Sequence, residues 1–181
     1  MNEIILIELD DKTRERHLQE TERWFEHVLT AQTAFEALLA KAIPAIQEPH
    51  IREALEKIQD ASRDHHAYAK RLFTLIGRSP DTVLDRILGT TSAKLEEGLF
   101  VFQDMMGGAV GSWQYLHHLL LLNQQAMGAF AVAEQLGYSL GMKELVDIAF
   151  PTAHEKHIHQ LLLQEYMLEM APISILYKED V

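Results

Sequence analysis

The chain has 181 residues, of which 48% are hydrophobic and none is cysteine. This length and composition predict one domain over residues 1–181 with a continuous core, and they exclude disulfides, thiolate metal sites and thiol nucleophiles. The formal net charge of −11 repels phosphate backbones and anionic lipid headgroups, so neither nucleic acid nor a membrane is expected as a partner.

The first residues predict a cytoplasmic protein. Residues 4–7 are apolar, but this run is too short for a membrane span or a signal peptide, and no basic segment precedes it. The lack of cysteine agrees with a reducing cytosol. Residues 4–7 and 173–177 are interpreted as apolar terminal tags that pack on the ends of helices or on a second copy of the chain.

The first predicted helix covers residues 11–43 and is stopped by Pro44. Its apolar stripe has residues at steps of three and four: Trp24, Val28, Ala31, Phe35, Leu38 and Ala42. Projection at about 100° per residue places His27 at the edge of this stripe, beside Glu20, and places His17 on the stripe itself.

The second predicted helix opens after Pro49 and ends at Gly77, a residue type suited to the end of a helix. Its stripe is mostly apolar and consists of Ile51, Leu55, Ile58, Ser62, His65, Ala69, Leu72 and Ile76. His65 lies at the centre of the stripe. The sequence therefore predicts an imidazole in the interior of the bundle.

The third predicted helix covers residues 112–136 and follows a crossover over residues 81–106 and a glycine-rich hinge. Residues 105–133 contain no Asp, Glu, Lys or Arg, which raises a membrane span as an alternative. His117, His118 and Asn123 would lie inside that span, where polar groups are costly in lipid but are readily accommodated by hydrogen bonds in a protein. A helix buried in protein is therefore predicted.

The fourth predicted helix runs from beyond Gly141 to about Met170, with Pro151 inside it and Pro172 closing it. Its most apolar face consists of Val146, Phe150, Ala153, His157, Leu161 and Leu168. This face predicts that His157 points inward, with His154 on its flank. His159 is predicted to point into solvent.

The acidic residues are poorly placed for a pair of iron ions. A carboxylate-bridged di-iron site takes one Glu from each of two helices and a Glu-x-x-His pair from each of the other two. No Glu-x-x-His occurs in the chain, and Glu134 is the only acid of the third helix. The candidate metal ligands, for iron or zinc, are His27, His65, His154, His157 and Glu20.

Two stretches of the chain, residues 51–80 and 126–137, resemble the YciF-like, stress-associated branch of the ferritin-like superfamily. They look like that family's second helix with its Gly and Pro turn, and its third helix ending in an Ala-Glu-x-Leu-Gly run. The resemblance implies an all-α, ferritin-like antiparallel four-helix bundle with a long helical crossover between the second and third helices. It also implies a homodimer and a two-metal site at mid-bundle.

The family's acidic ligand positions are mostly not acidic in this chain. Carried over residue by residue, the resemblance places them at Gln32, Asp64 and Leu122, with Tyr68 near Asp64. Only Asp64 keeps a carboxylate, and the helical projection turns it outward. The resemblance then implies a bundle that kept its fold and lost or rebuilt its metal centre, with His27, His65, His154 and His157 as nitrogen ligands for a single ion.

Three functions from different classes stay open at this point. The first is a ferritin-like stress or accessory protein without catalysis, which binds a partner or itself. The second is a His-rich metal-binding or oxidative enzyme centred on His65 and His157. The third is a haem-oxygenase-like all-α enzyme with His17 as the proximal ligand. The sequence does not decide whether the protein is an enzyme and identifies no substrate.

Overall fold

The computed structural model describes residues 10–81, 83–85 and 111–178. Four long helices make up most of these ranges: α1 Asp11–Ala42, α2 Pro49–Leu75, α3 Ser112–Leu140 and α4 Lys143–Pro172. A short 3₁₀ turn, Ile43–Ala45, follows α1, and a π-helical turn, Ile173–Tyr177, follows α4. The described residues contain no strand, so the prediction of an all-α chain is confirmed for them.

The four helices pack as a bundle in which α1 contacts α2 and α3, and α4 contacts α3 and α2. Short connections join α1 to α2 and α3 to α4, so both of these pairs are antiparallel. Within the described ranges, no helix has the length and apolarity needed to cross a membrane. The predicted crossover at 81–106 and the apolar residues 4–7 lie largely or wholly outside the described residues.

Local chemistry explains where the helices begin and end. Asp10 caps α1, because its side chain accepts a hydrogen bond from the Thr13 backbone N–H at 2.9 Å. Pro49 opens α2, where a missing N–H costs nothing. Gly77 and Gly141 have φ of +71° and +66°, which only glycine adopts readily, and they follow the ends of α2 and α3.

The apolar core is divided into two parts along the bundle axis. One part combines the first half of α1 with the ends of α2 and α3 and the start of α4, and includes Phe25, Leu29, Phe73, Phe130 and Ala149. The other part lies toward the opposite end and includes Phe35, Leu38, Leu55, Leu116 and Leu163. The interior between these two parts is polar.

The predicted interior stripes of α1 and α2 are confirmed, and the predicted stripe of α4 is wrong. Every member of the α2 stripe is buried, and in the α1 stripe only Trp24 is partly exposed. In α4, however, Phe150, His157, Leu161 and Leu168 are exposed. The buried residues of α4 are instead Leu145, Ile148, Ala149, Thr152, Lys156, His159, Leu163 and Met170. This helix is apolar on several faces, so hydrophobicity alone did not identify the buried one.

The third helix continues past Gly137, where the sequence had predicted its end. Gly137 stays helical and is buried against the start of α4. A Cβ atom at this position would lie 2.9 Å from the Val146 Cγ2 atom and 3.2 Å from the Val146 backbone nitrogen. The glycine therefore serves close helix packing, and Gly141 supplies the left-handed residue that ends α3.

Gly137→Ala should lower the free energy of unfolding by about 1–3 kcal/mol, because the added methyl group overpacks the contact with Val146. Gly128→Ala is the matched control, since Gly128 lies in the same helix and a Cβ atom there would have nothing within 4 Å. Alanine there should raise stability by up to about 1 kcal/mol. Urea denaturation followed by circular dichroism measures both. A gain of stability in both variants would contradict the close contact between Gly137 and Val146.

Candidate functional site

Polar side chains from all four helices meet between the two parts of the apolar core. We call this set the polar layer: Gln32 of α1, Ser62 and His65 of α2, Asn123 of α3, and Lys156 and His159 of α4. His159 is 7% exposed and the other five are fully buried. Polar groups buried to this extent are costly unless they are hydrogen-bonded.

Two amide side chains connect neighbouring helices within the polar layer. The Gln32 Nε2 atom donates to the Ser62 carbonyl oxygen at 2.9 Å and to the Ser62 Oγ atom at 2.8 Å. The Asn123 Nδ2 atom donates to the Lys156 carbonyl oxygen and to the Gln160 Oε1 atom, both at 2.9 Å. These bonds tie α1 to α2 and α3 to α4, so they fix how the helices align along their axes.

Lys156 is the least expected member of the polar layer. Its Nζ atom lies 4.6 Å from the centroid of the Phe35 ring, which is a cation–π contact. Within the described part of the chain, no hydrogen-bond acceptor lies within reach of this atom. Burial lowers the pKa of Lys156 to about 7, and the negative charge of Glu155 opposes this only in part. The amine is therefore divided between its charged and neutral forms near neutral pH.

His65 connects the interior to the surface of the bundle. Its Nε2 atom lies 2.9 Å from the Oε2 atom of Glu155, whose side chain is 50% exposed. Burial, and then the charge of Lys156, lower the pKa of His65, while the hydrogen bond from His65 lowers the pKa of Glu155. Both shifts favour a neutral imidazole that donates from Nε2 to an ionised carboxylate. The buried Nδ1 atom is then a hydrogen-bond acceptor.

His159 lies beside His65, with 5.9 Å between the ring centroids. Burial, followed by repulsion from positive charge on His65 and Lys156, lowers its pKa to about 4. His159 is therefore neutral at physiological pH. A cleft of about 450 Å³ between α2 and α4 reaches this region, and both Glu155 and His159 line it.

The titratable groups at the polar layer differ in exposure. Glu155 faces solvent, His65 lies behind it, and Lys156 has a pKa near neutrality. Within the described residues no hydrogen bond joins the Lys156 Nζ atom to His65 or Glu155, so these groups do not form a continuous path for a proton. Among the described residues, no group of three or more His, Asp or Glu side chains is placed to hold a metal ion.

Of the five predicted ligands, only His65 belongs to the polar layer. The half-buried His27 contacts the Trp24 ring at 5.1 Å, and Glu20 is exposed and pairs with Arg23 at 2.8 Å. The exposed residues His154 and His157 lie on the outside of α4. The prediction that His157 points inward and His159 outward is wrong, because the opposite face of α4 is buried. Whether the chain binds a metal stays a prediction.

The positions inferred from the family resemblance are also dispersed. Gln32 is fully buried in the polar layer, whereas Asp64 is exposed, as the helical projection predicted. Leu122 is half-buried and Tyr68 is 40% exposed. Glu155 is the one carboxylate that touches a side chain of the polar layer in the described contacts. This donor set does not fit a pair of iron ions, which needs several anionic oxygens.

Sequence reasoning missed Lys156 and His159, and it predicted Asn123 in a buried helix without assigning it to a centre shared by the four helices. Comparison of the chain with protein-family models, with curated proteins and with solved structures gives no significant match. The resemblance to the YciF-like branch therefore stays a prediction from sequence.

Proposed function

We propose that this protein is a ferritin-like stress or accessory protein whose mid-bundle centre is rebuilt around a buried amine and works without a pair of metal ions. The observation that carries the proposal is the complete burial of Lys156 at mid-bundle, next to His65 and His159. In its protonated form this side chain is itself a cation at the centre of the bundle. A second, multivalent cation beside it would be repelled.

The chemistry of the surrounding atoms supports this proposal. Two iron ions carry at least four positive charges, which bridging carboxylates must offset. The polar layer offers amides, a hydroxyl group and neutral imidazoles, and among the described residues the one carboxylate in contact with it is Glu155. One negative charge is sufficient to balance one ammonium group, but it cannot balance two irons.

A buried polar centre of this kind fixes the arrangement of a bundle without performing a reaction. The hydrogen bonds of Gln32 and Asn123 define which turns of neighbouring helices meet. Polar groups in a helical interior specify register in this way, usually at some cost in stability. We therefore propose that the protein acts through its surface, by binding a partner or itself.

The second candidate function is binding of one zinc or iron ion, in line with a His-rich metal-binding or oxidative enzyme. The observation that favours it is the 5.9 Å separation of the His65 and His159 ring centroids beside the cleft that His159 lines, although these imidazoles and Glu155 are not placed as a three-ligand site among the described residues. The imidazoles are neutral at physiological pH, as metal ligands must be. To bind the ion, however, His65 would have to give up its hydrogen bond to Glu155, and Lys156 would have to be unprotonated.

Metal analysis of the purified full-length chain distinguishes the two candidates. After incubation with Zn²⁺, or with Fe²⁺ without oxygen, and removal of free metal, we expect far less than one ion per chain by mass spectrometry of the elements. His159→Ala and His157→Ala form a matched pair, because only His159 is buried in the polar layer. One ion per chain, lost in His159→Ala and kept in His157→Ala, would establish the second candidate. Two ions per chain would contradict both.

A further inference from the structure

The cleft between α2 and α4 leads from the solvent to the polar layer. Its lining side chains come from residues 50–61 of α2 and residues 155–166 of α4. Each of these stretches covers about 16 Å of helix at 1.5 Å per residue. The cleft has a volume of about 450 Å³, and small-molecule sites typically measure roughly 300–1,000 Å³. Its dimensions are therefore those of a site for a small, elongated molecule.

Part of the cleft wall is apolar. The apolar lining consists of Ala54, Ile58 and Ala61 of α2 and Leu162 of α4. Ile58 is buried and the other three are half-buried, so part of this wall is open to a bound molecule. The two alanines lie on one face of α2, and their small side chains leave room between the helices. A hydrocarbon group bound here would be removed from water, which is favourable.

Two carboxylates line the cleft, and they differ in how their charge is balanced. The Glu53 Oε1 atom pairs with the Lys57 Nζ atom at 2.8 Å. The Glu155 Oε2 atom instead meets the His65 Nε2 atom at 2.9 Å. Because burial lowers the pKa of His65, this imidazole is a neutral donor. Within the described contacts, Glu155 is therefore an anion at the cleft without a cation beside it.

His159 adds an unsatisfied hydrogen-bonding group at the same end of the cleft. It follows Glu155 by four residues, so the two side chains are neighbours on one face of α4. His159 lines the cleft and is 7% exposed, and its Nδ1 atom has no hydrogen-bond partner among the described residues. Because burial lowers its pKa to about 4, the ring is neutral and one of its nitrogens is an acceptor. An unpaired buried acceptor costs free energy, which a donor group of a bound molecule would recover.

We propose that the cleft between α2 and α4 binds a small organic ammonium ion, with its –NH₃⁺ group at Glu155 and His159 and its hydrocarbon part along the apolar wall. An ammonium group has three N–H donors and no acceptor, so it can donate to the carboxylate and to the neutral imidazole at the same time. Its single positive charge balances the charge of Glu155. This binding activity goes beyond the binding of a partner protein proposed above and does not depend on it.

Other classes of ligand suit the cleft less well. Glu155 would repel an anion, and a neutral molecule would leave the charge of Glu155 unbalanced. A divalent metal ion needs several ligands, and no group of three His, Asp or Glu side chains is placed to hold one in the described ranges. Lys156 does not exclude a monovalent cation, because its Nζ atom contacts the Phe35 ring of α1, whereas the Glu155 side chain is 50% exposed on the solvent side.

Calorimetric titration of the full-length chain at pH 7, with EDTA present, tests the class of ligand. The probes are hexylammonium, hexanol and hexanoate, which share one alkyl chain and differ in the charge of the head group. Hexylammonium should bind once per chain and at least about ten times more tightly than hexanol, because a hydrogen bond to an ionised group contributes more than a neutral one. Hexanoate should not bind measurably. Equal or tighter binding of either analogue, or no saturable binding of hexylammonium, would overturn the proposal.

Two pairs of variants test the position of the site. Glu155→Gln should weaken hexylammonium binding at least about tenfold. Glu165→Gln removes the same charge from an exposed side chain outside the cleft and should keep the wild-type affinity. Ala61→Leu should fill part of the cleft and weaken binding, whereas Ala67→Leu, on the exposed face of α2, should not. Circular dichroism checks that each variant folds, and the glutamate pair decides if Ala61→Leu does not. Equal affinities of Glu155→Gln and Glu165→Gln would overturn the proposed site.

Discussion

Lys156→Met should raise the free energy of unfolding at pH 7 by about 2–4 kcal/mol. Methionine has nearly the length of lysine and fills the same space, but it carries no charge that must be taken out of water. Its thioether can also keep a favourable contact with the Phe35 ring. A substitution that removes a functional-looking polar side chain is therefore expected to stabilise this bundle.

The size of the effect follows from the electrostatics of the site. The pKa of Lys156 falls from 10.5 to about 7 because of burial. At about 1.36 kcal/mol per pH unit, this corresponds to an upper limit of roughly 5 kcal/mol for the cost of burying the charge. Loss of the cation–π contact with Phe35, worth about 1–2 kcal/mol, reduces the gain on substitution.

Urea denaturation at pH 7 measures this gain, and Lys12→Met is the control. Lys12 is exposed in the first turn of α1, so its substitution should change stability by no more than about 0.5 kcal/mol. A Lys156→Met variant that is less stable than the wild type would show that the amine makes a contact worth more than its burial costs. The role of Lys156 at the centre would then need another explanation.

The interior of α1 and α2 could be predicted from sequence because the two helices have one apolar stripe each. Residues such as Phe35 on α1 and Leu55 on α2 are flanked by charged residues on the outer faces, so hydrophobic periodicity points to one buried side. His65 was found for the same reason, since it interrupts an otherwise apolar stripe. A polar residue in that position is a clear signal.

The interior of α4 could not be predicted in this way because α4 has two series with steps of three and four. The buried series is Leu145, Ala149, Thr152, Lys156, His159 and Leu163, and the exposed series is Phe150, His154, His157, Leu161, Gln164 and Leu168. The exposed series has more large apolar residues, so summed hydrophobicity selects it. A fully buried lysine also contradicts the usual distribution of that residue. Only the assembled bundle shows that Lys156 and Asn123 lie in the same layer.

The free energy of unfolding should rise with pH between about 7 and 10, and Lys156 should be responsible. The pKa of Lys156 is about 7 in the folded chain and 10.5 when exposed. Between these values the unfolded chain binds one proton more than the folded chain, so stability increases with pH by at most about 1.4 kcal/mol per pH unit. Below pH 7 the amine is protonated in both states, and its contribution no longer changes.

A separate loss of stability is expected below pH 6.5, and it comes from the imidazoles. The pKa of His159 is about 4 in the folded chain and 6.5 when exposed, so the unfolded chain binds the extra proton between these values. His159 alone should account for a loss of about 3 kcal/mol between pH 6.5 and 4. The lowered pKa values of His65 and Glu155 act in the same direction as the pH falls.

Urea midpoints of the wild type and the Lys156→Met variant from pH 5 to pH 10 separate the contribution of Lys156 to the pH dependence of stability from that of the imidazoles. The stability difference between the proteins should grow as the pH falls from 10 to 7 and then stay constant, while both lose stability below pH 6.5. Imidazole nitrogen spectra by NMR report directly whether His159 stays neutral at pH 5. Parallel curves from pH 7 to pH 10 would mean that the Lys156 amine is hydrated in the folded chain, and they would remove the basis for a centre built on a buried cation.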